Sequence, residues 1–387
     1  MFKKYLVLTI FSLFCFLSLV PSCAYAIEDP LKKPNNKVGI HILFDSEIPQ
    51  AAKLVNANGG DWGYVIIPIQ SGDKDLVKWQ KFMNNAKKYH LIPIIRLATE
   101  GDYFNTKVWR KPDQTDVIDF ANFLSSLSWP TRNRYIVVFN EVNRGDEWGG
   151  AANPAEYAQL LSYTVTVFKS KTPDFFIITA GLDNAAPNKF PDYMNQYSYL
   201  QQMHDAVPNI FQQVDGLSSH SYPNPGFSQP PDTTSTMGTG SFLHERQLIK
   251  TFSTKELPVF ITETGWNAES IPDDTRAQYY QTVFQTIWSD SNVVAVTPFL
   301  LQGNGGPFQR FSFINLDGSF TKQYQAIRDL PKVRGVPTFP IKNVLSAETR
   351  RNAQIANLID FSKKKETKIR FSRTEMLVDT FNWLVKN

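Results

Sequence analysis

The chain is nearly devoid of cysteine. Only Cys15 and Cys23 occur in 387 residues, and both lie in a leader-like segment. Lys3 and Lys4 make a basic start, the run from Tyr5 to Val20 is almost wholly apolar, and Ala24-Tyr25-Ala26 places small residues around a cleavage point. Residues 1–26 therefore read as a secretory signal peptide, which predicts a secreted, periplasmic or cell-envelope protein. The rival reading is a retained anchor, since a bilayer span needs about 20 apolar residues. A cleaved chain would keep no thiol, so a disulfide framework, a zinc–thiolate site and a cysteine nucleophile are all excluded. Histidine is also scarce, with five in all and no His-x-His pair. That argues against a metal-dependent hydrolase, and no cofactor is expected.

Strong charge of one sign is missing too. The net charge is +4, and the excess sits at the end of the chain. From Val333 onward there are 11 Lys or Arg against 5 Asp or Glu, which leaves residues 27–332 mildly acidic. A nucleic-acid enzyme would carry its basic surface on the working body, so no nucleic-acid partner is expected. The basic tail reads either as a satellite helix pair whose Lys363 to Lys365 run is merely solvated or as a surface that contacts the cell envelope.

What the chain has in quantity is apolar and aromatic residues, 42% and 13%, enough for a large core and for the rings that line sugar sites. Eight short apolar, β-branched or aromatic runs recur: "VGIHILF" from Val38, "YVIIPI" from Tyr64, "LIPIIRLA" from Leu91, "YIVVFN" from Tyr135, "FFIITAG" from Phe175, "VDGLSSH" from Val214, "PVFITET" from Pro258 and "VVAVTPFLL" from Val293. Most are followed by helical periodicity. Leu76, Trp79, Phe82, Met83 and Ala86 share one helical face; Asn153-Pro154 offers a cap and a first-turn proline; Tyr280, Val283, Phe284 and Ile287 repeat the pattern. Eight strand–helix units predict an α/β protein, a (β/α)8 TIM barrel over residues 27–332, with a small helical extension over residues 333–387. A doubly wound sheet is the competitor, but no glycine-rich phosphate fingerprint follows the first run.

In such a barrel the C-terminal strand ends gather at one face. Glu141 closes the fourth run and Glu263 the seventh, so two carboxylates distant in sequence are expected to converge there. An acetal is cleaved by this pairing: one carboxylic acid protonates the departing oxygen while one carboxylate attacks the anomeric carbon. A structural ion-pair role is the plain alternative for either residue alone.

Asn140-Glu141 after strand four, His220-x-Tyr222 after strand six and Glu263-Thr-Gly-Trp266 after strand seven together resemble the clan A glycoside hydrolases, (β/α)8 retaining glycosidases that include cellulases, mannanases and β-1,3-glucanases. The resemblance covers most of the barrel. It implies Glu141 as acid/base, Glu263 as nucleophile, Asn140 as holder of the substrate 2-hydroxyl, Tyr222 as hydrogen-bond donor to the nucleophile and His220 as a subsite wall. It implies an oligo- or polysaccharide substrate. Two features depart from the family: strand two has no arginine and strand eight closes without tryptophan. Arg96 is the expected replacement for the first, and Trp266 or Phe299 for the second. Trp148 either stacks on a sugar or covers a loop. Asp146 and Glu147 are expected to be solvated, His41 and Asp45 lie near strand one's end, and the Pro/Thr/Gly-rich stretch 226–240 is either a cleft-shaping loop or a disordered connector. A non-catalytic barrel that binds glycan or envelope is the competing function.

Overall fold

The computed structural model describes residues 27–99 and 107–340. The expected leader, and residues 341–387 of the expected extension, lie outside the described residues. Eight parallel strands appear where the apolar runs are: β1 (Gly39–His41), β2 (Gly63–Gln70), β3 (Leu91–Ala98), β4 (Arg134–Val137), β5 (Phe175–Ile178), β6 (Leu217–His220), β7 (Val259–Glu263) and β8 (Val293–Val296). They form a five-stranded sheet, β1-β2-β3-β4-β5, and a three-stranded sheet, β6-β7-β8. Single bridges pair the sheet edges, Ile178 with Gly216 and Val38 with Val296.

Side-chain alternation divides the core in two. Tyr64, Ile66, Ile92, Ile94, Tyr135, Val137, Phe176, Ile178, Phe260 and Val294 belong to one buried cluster fed by both sheets, with the Tyr135 and Phe260 rings 5.4 Å apart. Their neighbours along the strands, such as Val65, Ile67, Ile95, Ile136, Ile177 and Ile261, join a second and larger cluster with the helices. Strands buried on both faces read as continuous apolar runs, which is why most were visible as runs; β6 instead buries Ser218 and Ser219, whose hydroxyls bond Thr262 and Glu245.

Helices follow the strands. The helix Leu76–Lys88 starts at Asp75, whose carboxylate accepts from the amides of Val77 and Lys78; such a cap contributes about 1 kcal/mol. It buries Trp79, Phe82, Met83 and Ala86, each large side chain worth roughly 1.5–3 kcal/mol. Leu76 departs from expectation: at the first helical position it stays 53% exposed. The helix Pro154–Lys171 is capped by Asn153, which accepts from the Glu156 amide. Asp273–Gln285 buries Tyr280, Val283 and Phe284, while Ile287 falls in the 3-10 turn that follows. Among the described residues no helix is long and apolar enough to cross a membrane.

Residues 333–340 form no helix and make one bridge, Arg334 to Asp61, and the compact strand-bearing unit runs to Pro340. This strap meets residues 28–34: Glu28 pairs with Lys33 at 2.6 Å and with Arg132 at 3.2 Å, and Thr338 bonds both Glu28 and Lys33. Backbone pairing, Arg132 N to Thr338 O and Val336 N to Pro34 O, fixes it in place.

Candidate active site

The C-terminal ends of the strands surround an open cleft of about 370 Å³ lined by Arg96, Asn140, Glu141, Tyr222, Glu263 and Phe299, among others. Arg96 lies on the same face of β3 as Ile92 and Ile94, so strand alternation aims it inward. Glu263 ends β7. Ser219 pairs with Ile261 but His220 pairs with Glu263, so β7 accommodates one extra residue, Thr262, and re-aims the glutamate. Glu141 lies four residues past β4, and both Phe139 (φ 69°) and Glu141 (φ 35°) adopt left-handed backbone. Such strain in non-glycine residues persists only where surrounding structure holds it. Here the Glu141 amide donates to Gly181 O at 2.9 Å. A Cβ on Gly181 would stand 2.1 Å from the His220 ring, so only glycine lets these elements meet.

The side chains form one connected network. Arg96 Nη1 donates to Glu263 Oε1 at 2.6 Å and to Asn140 Oδ1 at 2.5 Å. Tyr222 donates its hydroxyl to Glu263 Oε2 at 3.0 Å. His220 Nδ1 lies 3.0 Å from Glu141 Oε1 and 3.9 Å from Glu263 Oε2. Donor atoms of Glu141, His220 and Glu263 all lie within 4.8 Å of one another. Arg144, three residues after Glu141, reaches its Oε2 at 3.5 Å and pairs also with Asp146 and Asp183.

The environments of these groups differ. Burial drives the His41 pKa well down, helped by the positive Arg96 and His220, so His41 is a neutral ring 3.7 Å from Glu263 and edge-on to Phe299. Burial opposes protonation of His220 as well, but Glu263 and Glu141 outweigh it and its pKa is raised. Burial, Glu263 and Glu141 hold the Tyr222 hydroxyl in its protonated form, which keeps it a donor. Glu147 is pushed up to about 8 by burial and by the negative Glu141, and Asp183 is raised for the same two reasons.

The structure thus brings together Arg96, Asn140, Glu141, His220, Tyr222 and Glu263, and it puts Phe299 in the wall of the cleft. The two expected tryptophans do not join them. Trp266 is fully buried and packs edge-on or tilted among Tyr279, Tyr280 and Trp288. Its indole N–H donates to Gln229 O at 2.7 Å, so it braces the 226–240 segment from behind. Trp148 is 2% exposed, wedged between Phe139 and Tyr157, and covers the loop after β4. Trp109 lines the cleft instead. Segment 226–240 is an ordered loop held by side chains: Trp288 donates to Thr239 O, Tyr197 to Thr236 O, and Asp232 closes a turn on Thr234 and Ser235. Phe227 from that loop also lines the cleft. Asp45 is not in the cleft wall; it begins a short 3-10 turn after β1.

Several cleft residues had no clear sequence signal. Glu147, expected to be solvated, is half-buried in the wall, and Arg144, Asp183, Phe308, Arg310 and Phe311 join it. Position directly after a strand was an available hint for Asp183, five residues past β5; the others sit on long loops. Glu141, His220 and Glu263 are the one group among the described residues with spacing suited to a metal ion. The Arg96 guanidinium already occupies Glu263 at 2.6 Å, and a dication there would face that fixed positive charge.

No protein-family model matches the chain, and no curated protein matches it in sequence. Its fold is similar to that of several solved glycoside hydrolases. A family 39 glycoside hydrolase from the gut symbiont Bacteroides cellulosilyticus WH2 is 17% identical with a TM-score of 0.54; the match covers 78% of this chain but only 64% of that one. A family 39 β-xylosidase from Caulobacter crescentus is 16% identical, with TM-score 0.56 and coverage of 79% and 74%. A family 5, subfamily 18 structure from Streptomyces cattleya in complex with GlcNAc is 15% identical, with TM-score 0.55 and coverage of 77% and 80%.

Proposed function

We propose that the protein is a retaining glycoside hydrolase that cleaves a β-linked oligo- or polysaccharide by double displacement, with its eight strands closed into a (β/α)8 barrel. The observation that carries this reading is the approach of Glu141 and Glu263, with carboxylate oxygens within 4.8 Å of each other across one cleft. Retaining enzymes hold their carboxyls about 5–5.5 Å apart, whereas inverting ones leave about 6.5–9.5 Å for a water. The paired sheet edges support closure.

In the first step Glu263 attacks the anomeric carbon as the bond to the leaving oxygen breaks, and the Glu141 proton passes to that oxygen. Arg96 and Tyr222 each hold one Glu263 oxygen, which fixes the orientation of the carboxylate for attack. In the second step Glu141 takes a proton from water, the water oxygen bonds to the anomeric carbon, and Glu263 departs. Asn140 gives its Oδ1 to Arg96, so its amide N–H₂ is left to hold the 2-hydroxyl. His220 keeps the two carboxylates in register. The chemistry uses side chains alone. The leader supports secretion or a periplasmic or envelope location, and the basic residues beyond Pro340 support envelope contact.

The test is hydrolysis of a panel of β-glucans, mannans, xylans and aryl β-glycosides, with the product anomer read by proton NMR. The first-formed sugar should keep its configuration, and Glu263→Gln should be inactive with an unchanged circular dichroism spectrum. An inverted product, or a Glu263→Gln variant as active as the wild type, contradicts the assignment.

A further inference from the structure

One carboxyl in the cleft has no role in the scheme above. Glu147 ends the 3-10 turn Gly145–Glu147 in the loop after β4 and lines the same cleft as the two glutamates. Its backbone is well held: the Glu147 amide donates to Arg144 O, Trp109 N donates to Asp146 O at 2.8 Å, and Gly149 N donates to Trp109 O at 3.0 Å. Its side chain is not, for among the described residues it makes no hydrogen bond and no ion pair. Arg144, the cation of that loop, is committed to Glu141, Asp146 and Asp183. A half-buried carboxyl that lines a cleft without a protein partner has its hydrogen-bonding capacity uncommitted. That is the signature of a group whose partner arrives with the ligand.

The position says which part of the ligand. Glu141 protonates the leaving oxygen, so the sugar being expelled lies on the Glu141 side of the cleft. Glu147 is six residues further along the same loop, close enough to feel the Glu141 charge. Resting on the glycosidase reading, we propose that Glu147 is a specificity-determining residue that hydrogen-bonds a hydroxyl of the leaving-group sugar, with Trp109 beside it in the same wall. Burial and the Glu141 charge raise its pKa to about 8, against the opposing Arg96 and Arg144 and with Asp146 adding to the rise. At neutral pH it therefore offers both an O–H donor and a carbonyl acceptor, which matches a neutral sugar hydroxyl that does the same.

The test compares two substrates on wild type, Glu147→Ala and Glu147→Gln: a β-linked oligosaccharide, whose leaving group is a sugar, and the 4-nitrophenyl β-glycoside of the same glycone, whose leaving group is not. Glu147→Ala should lower kcat/KM on the oligosaccharide about 10- to 100-fold and at least tenfold more than on the nitrophenyl glycoside. Glu147→Gln, which keeps a donor and an acceptor, should recover most of that loss. Binding gives a second readout free of turnover: in the Glu263→Gln background, adding Glu147→Ala should weaken the oligosaccharide Kd by a similar factor. Equal losses on both substrates, no loss at all, or a Gln variant as impaired as Ala overturns the inference while the glycosidase reading survives. If instead Glu263→Gln turns over both substrates like wild type, it is the glycosidase reading that falls.

Discussion

Behind strand β6, which carries His220, lies a glutamate whose ionisation the fold resists. Glu245, on the helix Ser241–Lys250, is 3% exposed and accepts from Ser219 Oγ at 2.8 Å, next to His220. Burial raises its pKa from 4.5 to about 7, more than the Ser219 and Ser241 hydrogen bonds and His220 lower it. The consequence for stability has a definite sign. Below pH 4.5 the carboxyl is neutral in both the folded and the unfolded chain, so it has no pH-linked effect. Between about 4.5 and 7 the unfolded chain ionises while the folded one does not, and the protein loses stability as pH rises. The loss reaches about 3 kcal/mol and levels off above pH 7. Glu245→Gln keeps the acceptor for Ser219 and removes the titration. Urea unfolding of the two proteins should agree near pH 4.5 and diverge on raising the pH, with the variant about 3 kcal/mol more stable at pH 8, a rise in Tm of several degrees. Glu47, also raised to about 7 by burial, contributes the same trend to both proteins and cancels in the difference. A variant that is less stable than wild type at pH 8, or a difference that does not change with pH, refutes the reasoning.

Tyr222→Phe removes the hydroxyl that donates to Glu263 and leaves the ring packed against Phe227 and Phe311. Steady-state kinetics should show kcat reduced about 10- to 100-fold, with Tm changed by little. Trp148→Ala should destabilise the protein by about 3–5 kcal/mol in denaturant titration, because it empties a buried site beside Tyr157; KM of the folded fraction should stay as it was, the opposite of what a sugar-stacking platform would show.

The frame was legible because strands buried on both faces cannot hide: most are apolar runs with turn residues around them, and all eight lie where the runs were read, β6 being the polar exception with Ser218, Ser219 and His220. The candidate site was legible for a related reason, since Arg96, His220 and Glu263 are polar residues toward the C-terminal ends of the runs, where each needs a partner. Glu141 was readable as chemistry but not as geometry. It stands beyond the strand on left-handed backbone that no propensity announces. The tryptophans misled because an indole is equally suited to stack on a sugar and to fill a core while donating one N–H; Trp266 does the second, toward Gln229. Glu147 was unreadable because its burial is decided by how the loops after β3 and β4 fold over each other, and charge composition alone marks such a residue as solvated. Leu76 shows the same limit on a smaller scale: helical spacing puts it on the apolar face, but the first turn has nothing yet to pack against.

The most direct test of the two-carboxylate account is covalent trapping. A 2-deoxy-2-fluoro glycosyl fluoride of whichever sugar the substrate panel identifies forms the glycosyl-enzyme but slows its hydrolysis, and mass spectrometry of the digested protein then locates the ester. The account predicts one sugar per chain on the peptide that contains Glu263, and none on Glu263→Gln. An adduct on Glu141 or elsewhere, or continued turnover of the reagent without any adduct, would contradict it.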